Sequence, residues 1–337
     1  MKKGLTLLLL WLSMTALPAT LQSAETLKLF RIGTGGEGGT YYPIGQLIAR
    51  ATSGPPGAAG CRDEEPCGVP GLLAVAQAAN GSVANVADIQ RGILESGFSQ
   101  SDVAHWAYTG SETFRGEPPM HRLRTIASLY SESIHLVTRR GSGIRGIRDL
   151  KGRRVALDEP GSGTLIDAEI LLRAFGLSRE NMTIEYAKYE LAAKKMRNGS
   201  LDAFFIVAGY PAKAISRLLR DEGIDLVPIE GPEVDAILRD YPFFSSGEIP
   251  AGAYRGLTRA IPTINVRAQW LTSAALDDEL IYRITRNLWS SRSLRMLREG
   301  HPKGREIRLD HALDALAVPL HPGAARFYRE QGMLKDS

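Results

Sequence analysis

Short runs rich in β-branched and aromatic residues alternate along the chain with longer runs whose apolar positions recur every three or four residues. LKLFRI (27–32), LLAVAQA (72–78), ESGFSQ (95–100) and RTIASLY (124–130) predict strands. YYPIGQLIARA (41–51), SVANVADIQRG (82–92) and SDVAHWAY (101–108) predict the helices between them. A second series begins near Ile134, with strands predicted at IHLVTRR (134–140), RRVALDE (153–159), MTIEYA (182–187), DAFFIVA (202–208) and GIDLVPI (223–229). Its helices are TLIDAEILLRAFG (164–176), ELAAKKMRNG (190–199), PAKAISRLLRDEG (211–223) and PEVDAILRDY (232–241). TINVRAQWLTSA (263–274) is strand-like, and the chain from residue 277 onward is mostly helical. Strand–helix alternation implies an α/β protein with parallel sheets covered by helices on both faces. Two such series predict two lobes, one discontinuous (25–135 with 261–337) and one continuous (136–260). Ligands in open α/β sheets sit beyond the carboxyl ends of the strands, so two facing lobes predict a cleft.

The N-terminus bears on compartment. Met1-Lys2-Lys3 is basic, LTLLLLWLSMTAL is apolar but short for a bilayer span, and small and polar residues follow up to Ala24. This reads as a secretory signal peptide over 1–24 and predicts a periplasmic location. The chain has 337 residues and a formal charge of +4; removal of 1–24 takes away Lys2 and Lys3 and no acid, leaving +2. Basic and acidic residues are mixed, with no long basic run, which gives nucleic-acid binding no support. Two cysteines, Cys61 and Cys67, lie in a Gly/Pro-rich loop. Export favours a disulfide between them over a metal site, because no further Cys or His cluster accompanies them.

Candidate chemistry concentrates in GTGGEGGTYYPIG (33–45), between a strand and a helix. Glycines let successive backbone N–H groups converge on one point, and the helix N-terminus that follows favours an anion there. Gly33, Gly35 and Gly38 have dinucleotide-fingerprint spacing, but no acidic residue stands where that motif needs one about 20 residues on. A purely structural glycine turn is the plain alternative. The second candidate is Pro160-Gly161-Ser162-Gly163-Thr164 at the next lobe's strand–helix junction; Ser162 and Thr164 either cap the helix or donate to an anion before it. In Ala79-Asn80-Gly81-Ser82-Val83-Ala84-Asn85, Asn85 either meets a polar ligand or is an ordinary exposed amide. Gln100 and Ser101 end a strand where cleft contacts are expected, while Asp102 suits a helix cap. Gly209, in VAGYP, lets a ligand approach closely.

Catalysis finds little footing. His105, His121, His135, His301, His311 and His321 are scattered without metal-ligand spacing, and Ser162 has no identifiable base, so a Ser162 hydrolase is disfavoured. No enzyme activity, metal or cofactor is expected, and each histidine reads as a surface, cap or core residue.

GTGGEGGTYYPIG, NGSVANV, SQSDVAHWAY, ASLYSESIHLV, DEPGSGT, DAFFIVAGYP, IPAGAY and PLHPGAARFYRE stand in an order that resembles the TAXI solute receptors, from about residue 29 to 334. The resemblance implies a type II periplasmic binding protein fold, two α/β lobes with a ligand cleft between them. It implies delivery of a small carboxylate, glutamate- or 2-oxoglutarate-like, to the permease of an ion-gradient-driven TRAP transporter. Gly35, Gly36, Thr40, Tyr41, Tyr42, Asn85, Gln100 and Ser101 would line the first lobe, and Ser162, Gly163, Thr164 and Gly209 the second. A monomer is the family-level expectation, and a periplasmic sensing receptor the alternative role. The Cys61–Cys67 loop looks like an insertion carried by part of that family.

Overall fold

The computed structural model describes residues 27–54, 68–221 and 223–335. The leader expected at 1–24 and the Cys61–Cys67 loop lie outside the described residues. In chain order the elements are β1 (Lys28–Gly33), α1 (Tyr41–Thr52), β2 (Ser53–Gly54), β3 (Val69–Pro70), β4 (Leu72–Gln77), α2 (Ser82–Arg91), β5 (Ser96–Gln100), α3 (Ser101–Thr109) and β6 (Leu123–Arg139). Then come β7 (Arg154–Ala156), α4 (Gly163–Ala174), β8 (Thr183–Glu185), α5 (Tyr189–Arg197), β9 (Ala203–Ala208), α6 (Lys213–Asp221), β10 (Ile224–Val227) and α7 (Pro232–Asp240). The chain closes with β11 (Ser245–Ile249), β12 (Ile261–Ser273), α8 (Asp278–Leu288), α9 (Ser291–Gly300) and α10 (Pro322–Glu330).

The strands form one continuous mixed sheet in the order β3-β2-β4-β1-β5-β12-β6-β9-β7-β8, with β10 on β6 and β11 on β12. The β1–β4, β1–β5, β7–β8 and β7–β9 ladders are parallel, as the strand–helix alternation predicts. The centre departs from the expected all-parallel arrangement, because β12 is antiparallel to β5 and β6, and β6 is antiparallel to β9. The two runs RTIASLY and IHLVTRR are not separate strands. They are one 17-residue strand, β6, that pairs with β12 from Leu123 to Ser133 and with β9 from Ser133 to Thr138. Ser131-Glu132-Ser133 breaks the apolar run and mimics a turn, yet the backbone passes straight through it because pairing on both sides holds it extended.

Local sequence explains the helices that flank the sheet. In α1, Ile44 and Ile48 sit one turn apart and are fully buried, and Pro43 lies in the first turn, where a missing N–H costs nothing. Asp277, Ser290 and Ser162 cap α8, α9 and α4 through side-chain oxygens. His321 caps α10 and His301 the short turn at Pro302, so these two histidines serve backbone ends. His135 is a core residue, bonded to the Ser133 carbonyl at 2.9 Å and the Tyr254 hydroxyl at 2.9 Å.

One core gathers Phe30, Ile44, Phe98 and Trp270 with Ile281, Ile284, Leu297 and Phe327 of the helical tail, so α8–α10 return to the β1 side of the sheet. Trp270 stands edge-on between Phe30 and Phe98 at ring-centre distances of 6.4 and 6.5 Å. A second core holds Tyr189, Phe204, Ile206 and Ile215 on the β9 side. A third runs from Val86 and Val103 to Ile166 and Ile237, joining α2 and α3 to α4 and α7 across the molecule. Burial of a side chain such as Phe98 or Ile166 contributes roughly 1.5–3 kcal/mol. Among the described residues no helix is long and apolar enough to cross a membrane.

Candidate functional site

Four helices begin at one cavity. Thr40, Gly81, Gln100 and Ser162 are the residues immediately before α1, α2, α3 and α4, and all four line it. Each helix start presents backbone N–H groups without an intrahelical partner and the positive end of a helix dipole. At α1, α2 and α3 no side chain caps these groups. The cavity measures about 50 Å³ and lies between the β1–β5 side of the sheet and the β7–β9 side.

Eight of the residues expected from sequence line it: Gly35, Gly36, Thr40 and Tyr41 from one side, Gln100 beside them, and Ser162, Gly163 and Thr164 opposite. Four expected residues do not. Tyr42 is half-buried on α1, away from the lining. Asn85 is fully buried with its amide donating to the Thr34 carbonyl at 2.9 Å and the Phe98 carbonyl at 2.8 Å, so it ties the glycine loop to β5. Ser101 is buried at the start of α3 but outside the lining. Gly209 accepts from Thr40 Oγ1 at 2.7 Å through its carbonyl and packs against the Lys303 side chain, outside the lining.

The glycine loop does something the sequence reading did not anticipate. Its Gly38 N–H donates to Glu190 Oε1 at 3.2 Å and its Gly39 N–H to the Tyr189 hydroxyl at 3.1 Å, while Ala214 N–H donates to the Gly38 carbonyl at 3.0 Å. A Cβ at Gly36 would lie 2.3 Å from the Tyr189 hydroxyl. The missing side chain there admits a tyrosine of the opposite half as much as it exposes backbone to a solute. Gly163 is similar: a Cβ would fall 1.3 Å from Gln100 Oε1. Ala84 N–H donates to the Gly161 carbonyl at 3.0 Å, and the Lys188 ammonium reaches Asn80 Oδ1 at 2.8 Å, so the halves touch on both rims.

Two of the expected hydroxyls are already engaged. Ser162 Oγ accepts from the Leu165 N–H at 3.0 Å, so it caps α4 while facing the cavity. Thr164 Oγ1 accepts from the Val207 N–H at 3.0 Å and fastens α4 to β9.

The electrostatics of the lining were missed entirely. Its charged side chains are Glu132 and Asp158; among the described residues no Lys, Arg or His lines it. Burial pushes the Glu132 carboxyl up to about 8, against the pull of the Tyr41 hydroxyl and the Lys303 ammonium. Burial pushes Asp158 up to about 7, opposed by the Glu159 N–H and the Ser162 hydroxyl. Behind them Gln100 Nε2 donates to Asp167 Oδ2 at 2.5 Å, and Asp167 faces the buried Asp102. Neither Asp102 oxygen meets a nitrogen or hydroxyl donor. Burial and then mutual repulsion hold the Asp167 carboxyl well above the usual range, so this pair is satisfied by sharing a proton. Glu132 sits in the polar triplet of β6 and Asp158 closes β7's run. A lone polar triplet inside two apolar runs was the available signal for Glu132.

No group of His, Cys, Asp and Glu among the described residues is arranged to hold a metal ion. The model of the NMT1-like family matches residues 32–332. The chain belongs to the NMT1-like family. This NMT1-like protein is similar in fold to two solved structures at a TM-score of 0.52. One is the periplasmic binding protein BugD, at 11% identity over 91% of this chain and 99% of that one. The other is MatC (Rpa3494) from Rhodopseudomonas palustris with bound malate, at 12% identity over 92% and 99%. The α/β fold with a cleft between two halves, expected from the sequence, is therefore shared with these two structures, one of them a periplasmic binding protein.

Proposed function

We propose that this NMT1-like protein is an extracytoplasmic solute receptor, a binding protein and not an enzyme. Its solute is a small molecule bearing a carboxylate, glutamate- or 2-oxoglutarate-like, handed to a TRAP permease driven by an ion gradient. The observation that carries the reading is the convergence of four helix N-termini on one cavity, an arrangement suited to a carboxylate. The two lobes are 25–135 with 261–337 and 136–260, hinged where β6 and β12 cross. The solute's carboxylate meets the helix starts of the first lobe, and the Ser162–Thr164 start of α4 completes the enclosure by hinge closure. Charge-assisted hydrogen bonds contribute roughly 1.5–3 kcal/mol each, so a few of them support micromolar affinity after ordering costs.

Transport is tested by uptake in vesicles carrying the permease. Added receptor raises the uptake rate of the solute that mass spectrometry finds released from the purified protein. Saturable binding without any stimulation of uptake assigns the protein to sensing instead.

A further inference from the structure

Asp102, the second residue of α3, and Asp167, in the second turn of α4, meet across the division between the halves, their carboxyls within hydrogen-bonding reach of each other. They are 0% and 1% exposed. Both oxygens of Asp102 and Oδ1 of Asp167 lack a hydrogen-bond partner, and Gln100 Nε2 donates to the remaining oxygen, Asp167 Oδ2, at 2.5 Å. Two carboxylates in such a dry contact repel each other and neither is solvated. A proton between one oxygen of each removes both costs, because one carboxyl becomes a donor and the other its acceptor. Moving α4 away from α3 admits water to both acids; each then ionises as an ordinary carboxylate, and the proton leaves. We propose that the Asp102–Asp167 pair is a proton-operated latch between the halves, so that closure around the solute takes up a proton at the pair and weakens as pH rises. This rests on the receptor reading above and adds a regulation of its closure.

The groups facing the pair set where the proton sits. The N–H groups of Asp102 and Val103 face the Asp102 carboxyl at the positive end of α3 without completing a hydrogen bond to it. They favour its ionised form, so Asp167 is the donor. Gln100 at the end of β5 acts on Asp167, and Glu132 on β6 adds a further negative charge when ionised. Among the described residues no Lys, Arg or His acts on either acid. Burial, then repulsion by Asp102, holds the Asp167 carboxyl well above the usual range. The closed form therefore binds more protons than the open one at neutral pH. One extra proton makes closure about tenfold less favourable for each pH unit between the ordinary carboxylate value and the raised one.

The test is calorimetric titration of the full mature protein with L-glutamate and with 2-oxoglutarate at pH 7 and pH 8, in buffers of different ionisation enthalpy that count the protons exchanged. Asp167→Asn and Asp102→Asn each replace one acid by an amide that donates to the other without a proton from solution, and melting curves identify which variants fold. Between pH 7 and pH 8 the parent's affinity should fall about tenfold more than that of either variant, and the parent should take up about one proton more on binding. Uptake by Glu132 and Asp158 is common to parent and variants, so the difference reports the pair. Equal proton uptake and equal pH dependence in the parent and a folded variant overturn the latch and leave the receptor reading standing. Binding of neither acid, with no solute released from the purified protein, overturns the receptor reading. Small-angle X-ray scattering then decides the latch: expansion from pH 6 to pH 9 in the parent but not in Asp167→Asn supports it, and matching behaviour of the two overturns it.

Discussion

Gln100 Nε2 donates to Asp167 Oδ2 at 2.5 Å, joining the end of β5 on one side of the cavity to α4 on the other. The same side chain accepts from Ser82 Oγ at 3.1 Å, so one amide connects three elements across the division between the halves. Gln100→Ala removes this fastening and leaves the Asp102–Asp167 carboxyl pair without its amide donor. The lost contact contributes about 1 kcal/mol. The expected outcome is a several-fold weaker solute affinity, with a larger radius of gyration in small-angle X-ray scattering. An unchanged scattering profile and affinity would refute the role of Gln100 in closure.

Gly209 stands between Thr40 and Lys303. A Cβ there would lie 2.7 Å from Lys303 Cγ and 3.1 Å from Thr40 Cγ2. Lys303 has little room to retreat, being 1% exposed and bonded to Glu306 at 2.7 Å. Gly209→Ala therefore wedges the halves apart. Solute affinity should fall at least about tenfold, roughly 1.4 kcal/mol, while the melting temperature of the solute-free protein changes by only a few degrees. A variant that binds as tightly as the parent would show that the packing relaxes around the methyl group.

Thr164 and Ser162 separate structural from binding roles. Thr164→Val keeps the shape of the side chain but strips the Val207 N–H of its acceptor. This should cost about 1–3 kcal/mol of stability, seen as a lower denaturation midpoint in urea. Ser162→Ala costs about 1 kcal/mol through loss of the α4 cap and, on the proposed reading, weakens solute binding several-fold as well. Chemical denaturation paired with calorimetry distinguishes the two effects; Ser162→Ala with parental affinity would leave that residue a helix cap only.

Stability should depend on pH in a defined window. Glu132, ordinarily near 4.5, rises to about 8 in the fold, and Asp158, ordinarily near 3.8, to about 7. Carboxyls raised in this way favour the fold below their unfolded pKa, and that advantage is lost as pH climbs through the folded value. His135 acts in the opposite sense. Burial lowers it from 6.5 to about 4, so its contribution is present above 6.5 and is lost as pH falls through 4. Between pH 6.5 and 8 the raised carboxyls, Asp167 among them, set the slope against a fading opposite contribution from the lowered His135, His301 and His321. The solute-free protein should lose on the order of 1–2 kcal/mol over that interval through Glu132, a few degrees in melting temperature, and Glu132→Gln should flatten the slope. A parent profile that is flat from pH 6.5 to 8 would contradict the buried, protonated state of Glu132.

The legible part of the fold was its periodic part. Ile44 and Ile48 on α1, or the fully buried β5, announce themselves through spacing and composition. Ser131-Glu132-Ser133 did not, because three polar residues between apolar runs look like a turn to any local rule. Only the pairing with β12 and β9 keeps that stretch extended. Thr40, Gln100 and Ser162 were legible as residues at strand–helix junctions, since the chain order of such junctions dictates which ends meet. Asn85 and Gly209 were marked for the right neighbourhood, but which way a side chain or carbonyl turns depends on partners far away in sequence.

What the amino-acid order alone determined was the α/β alternation, the two series of strands, and the junctions where polar loops precede helices. These follow from repeats of two and 3.6 residues and from the backbone freedom of glycine, all local properties. The tertiary structure decided that the central strands run antiparallel through both halves and that the glycine loop meets Tyr189 and Glu190. It also placed two buried acids in the wall of a cavity otherwise framed by positive helix ends. Those outcomes depend on desolvation and on contacts between residues as far apart as Gly39 and Tyr189, and no short window of sequence contains either.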